Sequence, residues 1–291
     1  MKNINIFCFG FGQVAKNFIK KLITEEYDIK LTITSRSESQ KKKFNGVNCN
    51  SYLFNSNKFD DKLVAELKEA DHILVSIPPE KQEDLVVKNF SKIIEYSKAK
   101  WITYLSATSV YGDHKGGWVN ENSKTRPTSP NGIARLKAEN SWLSLQRSKN
   151  LSVQIFRLSG IYSNEKNILV RLKQGTAKII NINNHYFSRI HVEDIANVLF
   201  KSLSKFKSGE IYNLADDKPS SSKEITLYGA KLLNIKDLKK IEVNEIESDM
   251  LKNFYKDSKR VSNKKIKEYF SYSFKFPTYA ERLDFIKDNF I

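Results

Sequence analysis

Gly10-Phe11-Gly12-Gln13-Val14-Ala15 stand between an apolar run ending at Phe9 and the first helical period, in the pattern G-x-G-x-x-A. Each position suits the handling of a pyrophosphate. Gly10 permits a tight turn, Gly12 lets the backbone approach an anion, and Ala15 keeps the helix close to the sheet. The helix N-terminus adds the positive end of its dipole. Glycines often serve only turns, so the hexapeptide counts because a strand precedes it and an amphipathic helix follows. An NAD site places an Asp or Glu about 20 residues on, against the ribose. Here the second strand ends Thr34-Ser35-Arg36-Ser37 instead. Arg36 between Ser35 and Ser37 suits a 2′-phosphate, which favours NADP over NAD. Ser76-Ile77-Pro78-Pro79 closes a later apolar strand, where the ligand crevice of a parallel sheet lies. His114, beside Asp113, has the right pKa for proton transfer, although a loop histidine is more often solvated.

Such groups need a frame. Ile4–Phe9 reads as a strand, and Val14, Phe18, Leu22 and Ile23 fall at helical spacing. Ile29, Leu31 and Ile33 alternate as a second strand, and 47–53 suggests a third. A helix is expected over 59–67, a buried strand over 72–77 stopped by Pro78-Pro79, a helix over 85–96 and a strand over 101–105. Further on come a helix over 135–145 with Ala134, Ala138, Ser141, Trp142 and Leu145 on one face, and a strand over 153–158. A helix around Ile195, Val198 and Leu199 and a strand over 211–214 complete the series. Ser221 with Glu224 and Thr278 with Glu281 read as capping boxes. Alternation at this pitch means βαβ units. The expected fold is α/β, a Rossmann-like doubly wound parallel sheet with a small C-terminal α/β lobe. Residues 1–160 with about 190–215 are assigned to the nucleotide-binding domain, and about 161–189 with 216–291 to the substrate lobe. A hydroxyacid-dehydrogenase type of fold also starts G-x-G, but it requires a long all-helical second domain. The strand-like runs near 153–158 and 210–214 oppose that.

With 291 residues, 40% hydrophobic and 28% charged, the chain is neither disordered nor fibrous. Cys8 and Cys49 follow no metal-ligand spacing, so no metal is expected and a reducing cytoplasm is. The net charge of +16 raises nucleic acid as a partner. Only 9 of the 49 basic residues are Arg, and the 40 Lys are spread along the whole chain. Dispersed lysine describes a solvated surface rather than a phosphate-reading one, and nucleic acid is not expected. The start, Met1-Lys2 and an apolar run to Ala15, superficially resembles a signal peptide, but Gly10 and Gly12 interrupt it. No run reaches the roughly 18–20 apolar residues that span a bilayer, so no membrane partner is expected.

Several segments resemble the extended short-chain dehydrogenase/reductase superfamily, the NAD(P)-dependent epimerase/dehydratase group. They are Tyr104-Leu105-Ser106-Ala107-Thr108-Ser109-Val110-Tyr111-Gly112, Arg157-Leu158-Ser159-Gly160-Ile161-Tyr162 and Arg189-Ile190-His191-Val192-Glu193-Asp194-Ile195-Ala196. Ile211-Tyr212-Asn213-Leu214-Ala215-Asp216-Asp217 and Lys259-Arg260-Val261-Ser262-Asn263 are similar to an atypical branch of it. The resemblance implies a Tyr that moves the substrate proton, a Lys four residues on that lowers its pKa, and a Ser or Thr that orients the substrate oxygen. Register from Gly132 and Glu139 puts Asn131 at the Tyr position and Arg135 at the Lys position, and the Ser/Thr position falls on Ala107. Asn131 cannot ionise near neutral pH. Arg135 keeps a charge able to grip a ribose or a carboxylate but has no Tyr to tune. Thr108 and Ser109 offer the nearest hydroxyls.

The resemblance therefore implies an NADP-dependent oxidoreductase or epimerase for a small polar, sugar- or nucleotide-like substrate, with Ala107, Thr108, Asn131, Ser159 and Tyr162 bounding the pocket. Thr108 and Asn131 would orient a carbonyl, His114 or water would supply the proton, and Arg189 would reach an anionic substrate. Tyr111, His191 and Asp194 are expected to pack and cap. The alternative is a non-catalytic dinucleotide-dependent sensor or scaffold. Pairing of two copies through a four-helix interface is a further implication, with the helix of Trp142 as candidate.

Overall fold

The computed structural model describes residues 2–56 and 58–291; Met1, where the leader-like run begins, lies outside them. In chain order the elements begin β1 (Asn3–Phe9), α1 (Gln13–Thr24), β2 (Asp28–Ser35), β3 (Gln40–Phe44), β4 (Val47–Asn55) and β5 (Lys58–Phe59). Next are α2 (Lys62–Glu69), β6 (His72–Val75), α3 (Leu85–Glu95), β7 (Trp101–Ala107), β8 (Trp118–Val119) and α4 (Pro130–Lys149). Then follow β9 (Val153–Leu158), β10 (Gly160–Tyr162), α5 (Ile168–Lys173), β11 (Ile179–Asn181), β12 (Arg189–His191), α6 (Val192–Ser204) and β13 (Ile211–Leu214). The chain ends with α7 (Ser222–Leu232), β14 (Lys240–Glu242), α8 (Asp249–Lys256), β15 (Arg260–Val261), α9 (Lys264–Phe270) and α10 (Tyr279–Phe290).

The main sheet runs β13-β9-β7-β6-β1-β2-β4-β3, and β1 pairs in parallel with both β2 and β6. Strand order reverses beside β1, which is the switch point of a doubly wound sheet. The expected α/β Rossmann-like class is thus borne out. Two details differ from the sequence reading. The third strand is half of an antiparallel hairpin, β3 on β4, whose alternation is masked by Lys41-Lys42-Lys43 on an exposed edge. Phe59 belongs to β5 rather than to the following helix, which starts only at Lys62.

The chain forms two compact units: residues 1–107, 133–157 and 195–212, and residues 108–132, 158–194 and 213–291. The sequence division counts 108–132 with the nucleotide-binding part; in the structure the loop 113–117 is instead hydrogen-bonded to 258–260 of the second unit, for example His114 N–H to Ser258 O at 3.1 Å. The first unit is cored by Phe7, Phe9, Phe90, Ile102 and Tyr104, with Trp142 fully buried among them. The second unit is cored by Leu169, Leu172, Leu283 and Ile286. Ser221 caps α7 through both arms of the expected box, and Thr278 N–H donates to the Glu281 carboxylate at 3.1 Å. Cys8 and Cys49 are free and buried, and burial pushes the Cys8 thiol up. No helix among the described residues is long and apolar enough to cross a membrane. Among the same residues no group of His, Cys, Asp or Glu is placed to hold a metal ion.

Helix α4 is fixed by specific anchors. Arg157 on β9 meets Glu139 edge-on, Nε to Oε1 at 3.0 Å and Nη2 to Oε2 at 2.7 Å, with both side chains almost fully buried. Trp142 Nε1 donates to Asp84 at 3.2 Å. Removing one partner of a buried ion pair strands the other charge. Glu139→Ala is therefore expected to lower the unfolding free energy by about 3–5 kcal/mol in urea denaturation, and Glu139→Leu with Arg157→Met to recover most of that loss.

Candidate functional site

In the first unit, β1 ends into the loop Gly10–Gly12 and α1 begins at Gln13. Gly10 has φ +85°, and a Cβ there would stand 2.6 Å from Ile77 Cγ2, so both conformation and packing exclude a side chain. Its N–H donates to Thr34 Oγ1 at 2.9 Å. The Ser76 hydroxyl lies 3.0 Å from Phe9 O and 3.2 Å from Gly10 O, donating to the carbonyls of the turn. Three strand ends, those of β1, β2 and β6, are thereby fastened to one loop. Thr34 escaped the sequence reading, because it falls out of phase with the Ile29, Leu31, Ile33 alternation of β2 and is buried all the same.

Gly12 behaves differently. Its φ of −82° is open to any residue, and a Cβ there would meet no protein atom within 4 Å. Nothing inside the protein requires glycine at that position. Gly12 is also the N-cap of α1, without a side-chain cap, so the N–H groups of the first turn are left for water or a ligand. Gln13 is exposed, whereas Val14 and Ala15 are buried against the sheet. Phe11 packs edge-on against Phe44 of the hairpin, with ring centroids 5.0 Å apart. At the end of β2, Ser37 N–H donates to Ser35 Oγ at 3.1 Å, a tight turn that leaves Arg36 exposed and with no hydrogen bond or ion pair among the described residues. Ile77 lines Gly10, and Pro78 is exposed.

Also in the first unit, Ala107 ends β7, and Arg135 extends from α4 to that strand. Its Nη1 donates to Leu105 O at 2.6 Å and to the Tyr104 hydroxyl at 3.2 Å. One nitrogen of that guanidinium is committed to the strand. Burial pushes the Tyr104 hydroxyl up, which keeps it neutral.

In the second unit, Thr108 opens a single 3₁₀ turn, Thr108–Tyr111, and is half-buried. Tyr111 is fully buried and its hydroxyl donates to Asn213 Oδ1 at 2.7 Å. The first turn of α4 presses on this segment: a Cβ on Gly132 would lie 2.7 Å from Ser109 O. Asn131 is exposed beside it. His114 is half-exposed and reaches Lys124 O at 3.2 Å through Nε2. Asp113 accepts from Ser258 N–H and Lys115 N–H, at 2.9 and 3.0 Å.

Ser159, Tyr162 and Arg189 come together in the second unit, because β10 pairs with β12 and Gly160 N–H donates to Ser188 O at 3.1 Å. Arg189 is buried, lies flat over Phe187 with 3.7 Å to the ring centroid, and donates through Nη1 to Ser220 Oγ at 2.7 Å. Burial lowers its pKa to about 10, and no carboxylate lies within ion-pair distance among the described residues. Tyr162 packs edge-on to His191, which burial and the Arg282 charge hold at about 3, hence neutral. Asp194 accepts from the Tyr272 hydroxyl at 2.5 Å. Asp216, which the sequence reading quoted without a role, is buried in the same unit. Burial pushes its carboxyl up to about 8.

A family model described as "NAD dependent epimerase/dehydratase family" matches residues 10–215. Comparison with the curated proteins found no match. Among solved structures, a functionally unknown conserved protein from Silicibacter pomeroyi is 28% identical, with 99% of each chain covered and a TM-score of 0.85. UDP-N-acetylglucosamine 4-epimerase from Bacillus cereus is 15% identical, with 98% of each chain covered and a TM-score of 0.74. dTDP-glucose 4,6-dehydratase from Bacillus anthracis, in complex with NAD, is 18% identical, with 99% of this chain and 96% of that one covered and a TM-score of 0.77. The last two likenesses speak for the fold alone. With the family pattern running from the glycine loop through β13, the chain belongs to the NAD-dependent epimerase/dehydratase family.

Proposed function

We propose that this protein binds NADP(H) and acts as an oxidoreductase- or epimerase-like enzyme on a small polar, sugar- or nucleotide-like substrate. The observation that carries the reading is Gly12. An exposed glycine with open space where a Cβ would stand, on a helix N-terminus without a side-chain cap, fits the close approach of a pyrophosphate and is not demanded by internal packing. Gly10, Phe11, Gln13, Val14 and Ala15 shape that cradle, with Ser76, Ile77 and Pro78 on its far wall. Arg36, exposed and unpaired between Ser35 and Ser37, supports the preference for a 2′-phosphate. When bound, a nicotinamide dinucleotide supplies a hydride donor or acceptor at ring C4. Ser159, Tyr162 and Arg189 are the substrate groups in this reading, with Thr108, Asn131 and His114 orienting or exchanging protons. Cytoplasmic location and pairing of two copies belong to the same proposal, as does the absence of nucleic-acid and membrane partners.

A second reading has its own support. Asn131 cannot ionise, Ala107 has no hydroxyl, and Arg135 is engaged by Leu105 O and Tyr104. A protein so altered suits a dinucleotide sensor. Label passing from C4-labelled NADPH into a mixture of UDP- and dTDP-sugars separates the two, because the sensor leaves the label in place.

Calorimetric titration tests the cofactor reading. NADPH is expected to bind more tightly than NADH, and Arg36→Ala to weaken NADPH by roughly tenfold or more while leaving NADH unchanged, the value of one charge-assisted hydrogen bond. Gly12→Ala is expected to change stability by no more than about 0.5 kcal/mol in urea. The same substitution should still abolish nucleotide binding, whereas Gly10→Ala should damage folding as well. Binding of neither nucleotide to the unaltered protein would overturn the proposal.

A further inference from the structure

The β3–β4 hairpin and the loop before it carry charge that the first unit leaves unpaired. Residues 36–43 hold four cations, Arg36, Lys41, Lys42 and Lys43, against one carboxylate, Glu38. None of the five takes part in an ion pair among the described residues. The turn of the hairpin is two residues long, Asn45 at φ +46° and Gly46 at φ +85°, the left-handed pair that so tight a connection requires. It sets Phe44 opposite Val47, Lys42 opposite Cys49 and Gln40 opposite Ser51. Side chains alternate along a strand, so Gln40, Lys42 and Phe44 share one face of β3, and Lys41 and Lys43 share the other. Lys42 is half-buried, whereas Lys41 and Lys43 are exposed. A slip of one residue would exchange the two sets, and the turn prevents it.

The face that holds Lys42 is tied at both ends to the surroundings of the glycine loop. At one end the Phe44 ring meets Phe11, with centroids 5.0 Å apart and planes at 84°. Just before the other end, Leu53 N–H donates to Ser39 Oγ at 3.0 Å, and Leu53 stands level with Ser35 at the close of β2. Lys42 lies between these two anchors. Burial pushes up the thiol of Cys49, its register partner, and the Lys42 charge acts against that rise.

Resting on the NADP(H) reading above, we propose that Lys42 is a second specificity-determining cation for the 2′-phosphate, acting with Arg36 from a separate element. In NADP(H) one ribose carries both the 2′-phosphate and, at its 5′ carbon, the pyrophosphate. A pyrophosphate at the glycine loop therefore keeps the 2′-phosphate within the span of one sugar from that loop. The lysine on the face of Phe44 is the one that shares this side of β3, and its flexible stem gives it reach. A phosphate monoester bears about −1.5 to −2 charge at pH 7, more than one guanidinium balances. Lys41 and Lys43, on the opposite face, do the ordinary work of an edge strand and deter pairing with another chain.

A lysine scan by calorimetry tests the assignment on the full chain, with two ligand pairs: NADPH against NADH, and adenosine 2′,5′-bisphosphate against AMP. Lys42→Ala is expected to weaken NADPH and the bisphosphate about tenfold and to leave NADH and AMP within about twofold. Lys42→Arg, which keeps the charge, should hold NADPH within about threefold of the unaltered protein. Lys41→Ala and Lys43→Ala should leave all four ligands within about twofold, the alternation of the strand appearing in the affinities. Arg36→Ala combined with Lys42→Ala should erase the preference for NADPH. Should Lys42→Ala fail to fold, Lys42→Gln, which keeps much of the stem and removes the charge, takes its place. Equal losses from all three lysine variants mean bulk charge and overturn the proposal, as does undiminished NADPH binding by Lys42→Ala. The two readings fail separately. If the unaltered protein prefers NADPH and Lys42→Ala keeps that preference, only the role of Lys42 falls; if the unaltered protein binds no nucleotide, or NADPH and NADH alike, the NADP(H) reading falls and this one with it.

Discussion

Arg157 holds its charge inside the first unit, answered edge-on by the Glu139 carboxylate, and the placement of α4 depends on that pair. The helix is polar over much of its circumference, so burial of an apolar stripe is a weak guide to its rotation. A geometrically demanding contact does what hydrophobicity leaves undone. Glu139, the Trp142–Asp84 bond and the Arg135–Leu105 bond set α4 at three points over about two turns, too many to satisfy in a slipped register. Buried ion pairs are poor sources of net stability but good sources of uniqueness where the alternatives leave a charge stranded.

The same logic, run in reverse, marks the functional region. A folded protein answers nearly all of its buried polar groups. Gly10 is answered many times over by Thr34, Ser76 and Ile77, which makes that loop rigid. Gly12, Arg36 and the first-turn amides are not answered from within, and they face outward. In the second unit Asp216 Oδ2 and Ser159 Oγ are among the buried atoms left unanswered, as are both ring nitrogens of His185, Asp257 Oδ1 and Arg282 Nε.

Arg135 stands where the resemblance implies a lysine. A lysine at that position presents a compact charge on a flexible stem. The planar guanidinium instead commits one nitrogen to two oxygens of β7 and so stiffens the strand end. Asn131 cannot ionise near neutral pH, and in the second unit burial pushes the Asp216 carboxyl up to about 8.

Local patterns decided the elements and the nucleotide loop. Glycine spacing, alternation in β1, β2, β9 and β13, and the boxes at Ser221 and Thr278 are short-range features whose meaning does not depend on distant residues. The β3–β4 hairpin was hidden because an exposed edge strand of lysines has no buried face to alternate. The commitments of Arg135, the hydrogen bonds of Arg189 to Ser220 and the elevated Asp216 carboxyl were decided only by the tertiary structure. Desolvation and hydrogen-bond supply at an atom are set by neighbours that the chain brings from far along its length, and no spacing rule in the sequence encodes which donors will fail to arrive.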